Sequence, residues 1–188
     1  MRLGNDIVDL TCVEAHHPRF VTRILNPIEL ERFAEAHQNP NLLWSLWAAK
    51  EAAFKAIKQS QAIGFHHQKF IVAADLRSIQ YQQQTLELRL EQDGDLIFAL
   101  AADASLNQTR SLTLRFEHEL APEEQSLKTK ELLLELAAQH LGLNPKELAV
   151  ASQERIPKIQ WLDKILPHPA SCAHHGRFLA ASLGITSL

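Results

Sequence analysis

Only two cysteines, Cys12 and Cys172, stand in 188 residues, and they lie far apart, outside any zinc-knuckle or CxxC spacing. A chain long enough to bury a sizeable core needs no covalent staple. Both thiols are therefore expected to be reduced, as in a cytoplasmic protein. Glycine and proline are also scarce, at 6 and 8, which excludes collagen-like and disordered low-complexity chains. No run approaches the ~18 apolar residues of a membrane span, and the first residues lack the apolar core of an export signal, so neither membrane insertion nor export is expected. Positive charge is in deficit. With 19 Lys+Arg against 22 Asp+Glu the formal charge is −3, and no chain-wide field exists to hold nucleic acid through its phosphates.

What remains, 46% hydrophobic and 22% charged residues, is the composition of an ordinary globular domain spanning 1–188. Met1 to Leu10 alternates as a short strand, which places Asp6 on the same side as Gly4 and Val8. Two short helical stretches follow, residues 19–25 and 27–33, the second with Asn26 as N-cap and Pro27 at its first position. Asn39-Pro40-Asn41 opens a longer helix from about Leu42 to Gln59, on which Trp44, Trp47, Phe54 and Ile57 recur at helical spacing.

After Gly64 the period changes to two. Phe70 to Leu76, Leu86 to Glu91 and Leu96 to Ala101 read as strands, the last two joined at Asp93-Gly94. Leu112 to Glu117 reads as a fresh strand, then a leucine-rich helix runs from Pro122 to Leu141 and is stopped by Gly142. Strands are expected again at Ala149–Glu154, Ile156–Trp161 and Phe178–Leu183, with Leu166-Pro167-His168-Pro169 as a loop. Strand, helix, strands thus occurs twice, over 1–107 and 108–188. The expected fold class is α+β, a pseudo-dimer of two similar halves, each with helices packed on an antiparallel sheet across a shared cleft.

Three segments concentrate chemistry: Gly4-Asn5-Asp6, Trp47 to Lys55, and Ser171 to Phe178. On a helix Trp47, Glu51 and Lys55 lie one turn apart on a single face, so a carboxylate and an ammonium stand side by side. Two carboxylates suit Mg²⁺, which fills its octahedron with water and substrate phosphates. Each piece alone has a plainer reading. Glu51 and Lys55 could form a solvated i,i+4 ion pair, Asp6 a turn or cap, and His174 a histidine satisfied by backbone.

Taken together the segments resemble the 4′-phosphopantetheinyl transferase superfamily: a G-x-D strand motif, W-x-x-K-E-x-x-x-K on a helix, and an S-x-x-H motif. Pro18 to Glu29 also resembles the R-F-x-x-R-I-x-T-P-x-E segment of holo-acyl-carrier-protein synthases. Two departures stand out. Val8 occupies the position where members with three acidic ligands carry Glu, leaving two, and Ala173 replaces a usual serine. The length is closer to the fused surfactin-synthetase type, with the halves in swapped order and one site at their junction. The resemblance implies a monomer.

It also implies transfer of the 4′-phosphopantetheine arm of coenzyme A to a serine of an apo acyl or peptidyl carrier protein, releasing 3′,5′-ADP. Asp6 and Glu51 would hold Mg²⁺ or Mn²⁺, Lys55 would neutralise phosphate charge, and Glu51 or a metal-held water would take the serine proton. Lys50, Lys55, His174, Lys158 and Arg177 are the candidates for binding coenzyme A, and Arg19 and Arg23 for docking an acidic carrier. No nucleic acid or membrane partner is expected. Two other classes use the same residues: a Mg²⁺-dependent phosphohydrolase acting on a coenzyme A-like pyrophosphate, and a non-catalytic coenzyme A or carrier-protein binding module, which could lose Glu51 without consequence.

Overall fold

Two sheets of identical topology face one another, each backed by a long helix. The computed structural model describes residues 1–13 and 17–185. In the first half β1 (Leu3–Asp9) leads to α1 (Pro18–Ile24), α2 (Pro27–Glu35) and α3 (Pro40–Lys58), and then to β2 (Phe70–Val72), β3 (Ser78–Tyr81), β4 (Gln84–Asp93) and β5 (Leu96–Ala102). The second half has β6 (Thr109–Arg115), α4 (Pro122–Leu141), β7 (Leu148–Gln153), β8 (Ile156–Trp161), β9 (Lys164–His175) and β10 (Phe178–Gly184). Strand orders are β1-β5-β4-β3-β2 and β6-β10-β9-β8-β7, both wholly antiparallel. Among the described residues no helix is long and apolar enough to cross a membrane.

Local chemistry sets the helix boundaries. Asn26 caps α2 through a full capping box, its side chain accepting from the Glu29 N–H while Glu29 accepts from the Asn26 N–H, with Pro27 at the first position. Asn39 caps α3 more simply, its side chain accepting from the Asn41 N–H. Gly142 ends α4 in the left-handed region at φ 67°, where its N–H reaches the Ala138 carbonyl.

Alternation along the strands sorts side chains into separate cores. Val8, Leu86 and Ile97 turn toward α3 with its Leu43, Leu46 and Ile57. Leu179, Ala181 and Leu183 turn toward Leu132, Leu133 and Leu136 of α4. Leu3, Ile7 and Leu100 face Ala173, Phe178 and Ala180 between the sheets. The layers therefore run helix, sheet, sheet, helix. A short polar ladder crosses that central layer: the Asn5 N–H donates to Ser171 Oγ at 2.9 Å, Asn5 Nδ2 donates to Ser182 Oγ at 3.0 Å, and Ser182 shares a hydrogen bond with Ser111.

The sequence reading fails at one long element. Residues 166–169, expected as a loop, lie within β9, a twelve-residue strand. Its proline-bearing first part pairs only with β8, through a register shift between Lys158 and Gln160, before Ala170 to His175 join β10. An irregular ladder tolerates residues that cannot donate. β3 also carries no signal strong enough to be read in advance.

Candidate functional site

Gly4 lets β1 press directly on α3. A Cβ there would lie 2.1 Å from the Ala52 carbonyl oxygen and 2.6 Å from the Ala56 nitrogen, so only glycine permits this approach. Asp6, two residues on and on the same face, meets the helix at Lys55, whose Nζ lies 2.7 Å from Asp6 Oδ1 and 3.0 Å from the Asn5 carbonyl oxygen. Lys55 thus pairs with Asp6 rather than with Glu51. Among the described residues the Glu51 carboxylate has neither a hydrogen bond nor an ion pair. Burial first, then the neighbouring Asp6 charge, push its carboxyl up to about 7 against the pull of Lys55.

Beside Lys55 lies a cleft made of two adjoining cavities of about 190 Å³ each, one between the halves and one within the second half, that share Arg155, Pro157 and Cys172. The α3 wall supplies Phe54, Lys55 and Lys58. The opposite wall supplies Lys130 from α4, Arg155 from the β7–β8 turn and His174 from β9. His174 is exposed at the cleft, and burial, then the Lys55 charge, lower its imidazole from the ordinary value. Four permanent cations and an imidazole around one groove suit a ligand bearing several phosphates.

The residues fit a hard divalent ion. Asp6 and Glu51 bring two carboxylates close enough that the Asp6 charge adds to burial in raising the Glu51 carboxyl, and Lys55 pairs with Asp6. Among the described residues no group of three His, Cys, Asp or Glu side chains could hold a metal. Two carboxylates with water and phosphate oxygens completing the shell is the arrangement Mg²⁺ accepts.

The family model of the 4′-phosphopantetheinyl transferase superfamily matches residues 2–127, more than half of the sequence and all of the Asp6, Glu51 and Lys55 site. The chain belongs to that superfamily. It is 43% identical over 61 residues to the holo-acyl-carrier-protein synthase of Campylobacter jejuni, covering 30% of this chain and 50% of that protein. It is 36% identical over 85 residues to the synthase of the same name from Vibrio vulnificus, covering 43% of this chain and 68% of that protein. Thus the chain spans half the length of the first relative. In this phosphopantetheinyl transferase superfamily member, Arg155 and His174 lie beyond the matched segment.

Three residues read from the sequence as coenzyme A contacts are placed elsewhere. Lys50 is fully buried and donates to the Ile24 carbonyl at 2.9 Å, to Glu29 Oε2 and to the His67 carbonyl at 3.2 Å. An ammonium has three donors, so none is left for a phosphate. Arg177 grips Asp9 with Nε at 2.9 Å and Nη2 at 3.0 Å and reaches Asp95 at 3.3 Å. Burial alone would raise the Asp9 carboxyl, but hydrogen bonds from Arg177 and Thr11 outweigh it and hold it well below the usual carboxylate range. Lys158 pairs with Pro169, whose ring faces Gly184 beside Met1 and Leu3. Cross-strand partners share a face, so Lys158 points away from the face of Cys172 and His174.

Arg19 and Arg23 are exposed on α1 as expected, with Phe20 between them stacked on Trp47 and tilted on Trp44. The sequence reading missed Lys58, Lys130 and Arg155. Arg155 lies in the turn before β8, where no strand or helix period marks which way a side chain faces.

The two edge ladders repeat each other in length and register. Leu3 to Asp9 pairs with Ala102 to Leu96 over seven residues, and Thr109 to Arg115 with Gly184 to Phe178 over seven. Gly4 then corresponds to Arg110 and Asp6 to Leu112. His174, opposite Leu179, corresponds to Gln92, opposite Ile97. The mirrored junction has neither the acid nor the imidazole.

Proposed function

We propose that the protein transfers 4′-phosphopantetheine from coenzyme A to a serine hydroxyl of an apo carrier protein. The observation that supports this reading is the Asp6, Glu51 and Lys55 set, whose Lys55 lines a cleft with a cationic far wall.

The serine oxygen forms a bond to the phosphorus bearing pantetheine, the bond from that phosphorus to the bridging oxygen breaks, and 3′,5′-ADP departs with the electron pair. Glu51 takes the serine proton, and a carboxyl near neutrality in the unliganded protein matches that task. When bound, Mg²⁺ or Mn²⁺ held by Asp6 and Glu51 would neutralise pyrophosphate charge. Lys55 spends two donors on Asn5 and Asp6 and keeps a third for a phosphate oxygen. His174, Arg155, Lys130 and Lys58 hold the nucleotide phosphates from the remaining walls. An acidic carrier docks against Arg19 and Arg23 on α1.

The test is mass spectrometry of apo carrier proteins incubated with the protein, coenzyme A and Mg²⁺. A mass gain of one phosphopantetheine on the serine, with 3′,5′-ADP released only when carrier is present, is the expected result. Release of 3′,5′-ADP from coenzyme A alone identifies a phosphohydrolase instead, and neither product leaves a binding module.

A further inference from the structure

The Glu29–Lys50 ion pair has no exposed side-chain surface on either partner, and it sits beside Glu51 without facing the cleft. Its bonds run to four separate segments. Lys50 Nζ holds the Ile24 carbonyl at the end of α1 and the His67 carbonyl before β2. Glu29 takes the Asn26 N–H at the start of α2 through Oε2 and the Val72 N–H of β2 through Oε1. Stability alone does not account for such a pair, because apolar residues of similar volume commonly do as well in a core. Directional bonds differ from apolar contact in fixing an angle. Phe20 rests on Trp44 and Trp47, and ring faces can slide. The carbonyls of Thr22, Ile24 and Leu25, which α1 leaves without helical partners, are instead held by Gln68 Nε2 and Lys50.

We propose that Glu29 and Lys50 are positioning residues for carrier recognition, fixing the arginine-bearing face of α1 at a set distance and angle from Glu51 on α3. The proposal deepens the transfer reading and rests on it and on docking at Arg19 and Arg23. Lys50 and Glu51 are consecutive on one rigid helix, so whatever holds Lys50 against α1 also sets where a serine delivered by α1 arrives.

Steady-state kinetics on the full chain tests it. Glu29→Gln with Lys50→Met removes both charges at nearly constant volume. It is expected to raise the carrier KM about tenfold, keep the coenzyme A KM within about twofold, and flatten the salt dependence of kcat/KM for the carrier. Gln68→Ala, an exposed change outside the core, is expected to raise the carrier KM less but in the same direction, and it decides the matter if the double variant does not fold. Arg19→Glu with Arg23→Glu is the control. If that control raises the carrier KM while neither positioning variant does, or if the coenzyme A KM rises equally, the positioning role is overturned and the transfer reading stands. If the control leaves the carrier KM unchanged, the docking face falls and the positioning role with it. If the wild-type protein modifies no apo carrier, the transfer reading itself fails.

Discussion

Lys55 reaches back across 49 residues of sequence to Asp6, at 2.7 Å, while among the described residues its neighbour one helical turn earlier, Glu51, has no ion-pair partner. The ammonium is thus bonded to one of two neighbouring carboxylates. Burial first, and then the Asp6 charge, raise the other, Glu51, toward neutrality.

Glu51→Gln keeps the volume and removes the charge. Loss of metal binding and of the proton acceptor together is expected to cost more than ~3 kcal/mol of transition-state stabilisation. Transfer assays at saturating Mg²⁺ on a variant with an unchanged unfolding midpoint would check this, and activity within about tenfold of wild type removes Glu51 from the chemistry.

Gly4→Ala puts a methyl against backbone that no rotamer change can move, 2.1 Å from the Ala52 oxygen. A stability loss of at least ~2 kcal/mol is expected, with β1 forced off α3. Because Asp6 rides on β1, transfer should fall by more than the loss of folded protein explains. Urea unfolding alongside activity per folded molecule separates the two effects.

Cleft cations should act on coenzyme A and not on the carrier. Arg155→Ala and Lys130→Ala are each expected to raise the coenzyme A KM several-fold, about 1 kcal/mol for a charge-assisted contact. Lys158→Ala, on the other face of β8, should leave it unchanged. A rise for Lys158→Ala and none for Arg155→Ala would reverse the assignment of the wall.

His67 is held down to about 4 by burial first and then by the Lys50 and Arg23 charges. An unfolded histidine titrates near ~6.5, so between these values the unfolded chain binds the proton and the folded chain does not. Stability therefore falls as pH drops through that window. Urea midpoints from about pH 7.5 to about pH 5 should decline in the wild type and decline less in His67→Phe; parallel curves would contradict the assignment.

With Asp6, Glu51 and Lys55 on one half and His174 on the other half of the same chain, the working unit is expected to be a monomer. Specific activity should hold constant on dilution. Mixing Glu51→Gln with His174→Ala should restore nothing, whereas recovered activity would mean that sites form between chains.

The capping of α2 was legible because Asn26 and Pro27 act within one turn, and the face of Gly4 and Asp6 because a strand alternates. Trp47, Glu51 and Lys55 followed from helical spacing in the same way. Lys50 and Arg177 were misread for one shared reason: their partners, Glu29 and Asp9, stand 21 and 168 residues away, and no local period reports whether a cation is already engaged. β9 was hidden because its prolines speak for a loop, and only its place beside an irregular edge ladder makes them acceptable.

Because the two sheets repeat each other strand for strand while Gly4 corresponds to Arg110 and Asp6 to Leu112, each half answers to a different selection. In a ring of identical subunits every residue is copied into every site and must serve both walls at once. Here a substitution enters the working junction once and from one side only. On the proposed transfer reading, the half carrying α4 would be free to drift toward gripping nucleotide and the half carrying α3 toward recognising a particular carrier, so related chains should vary in their two walls independently.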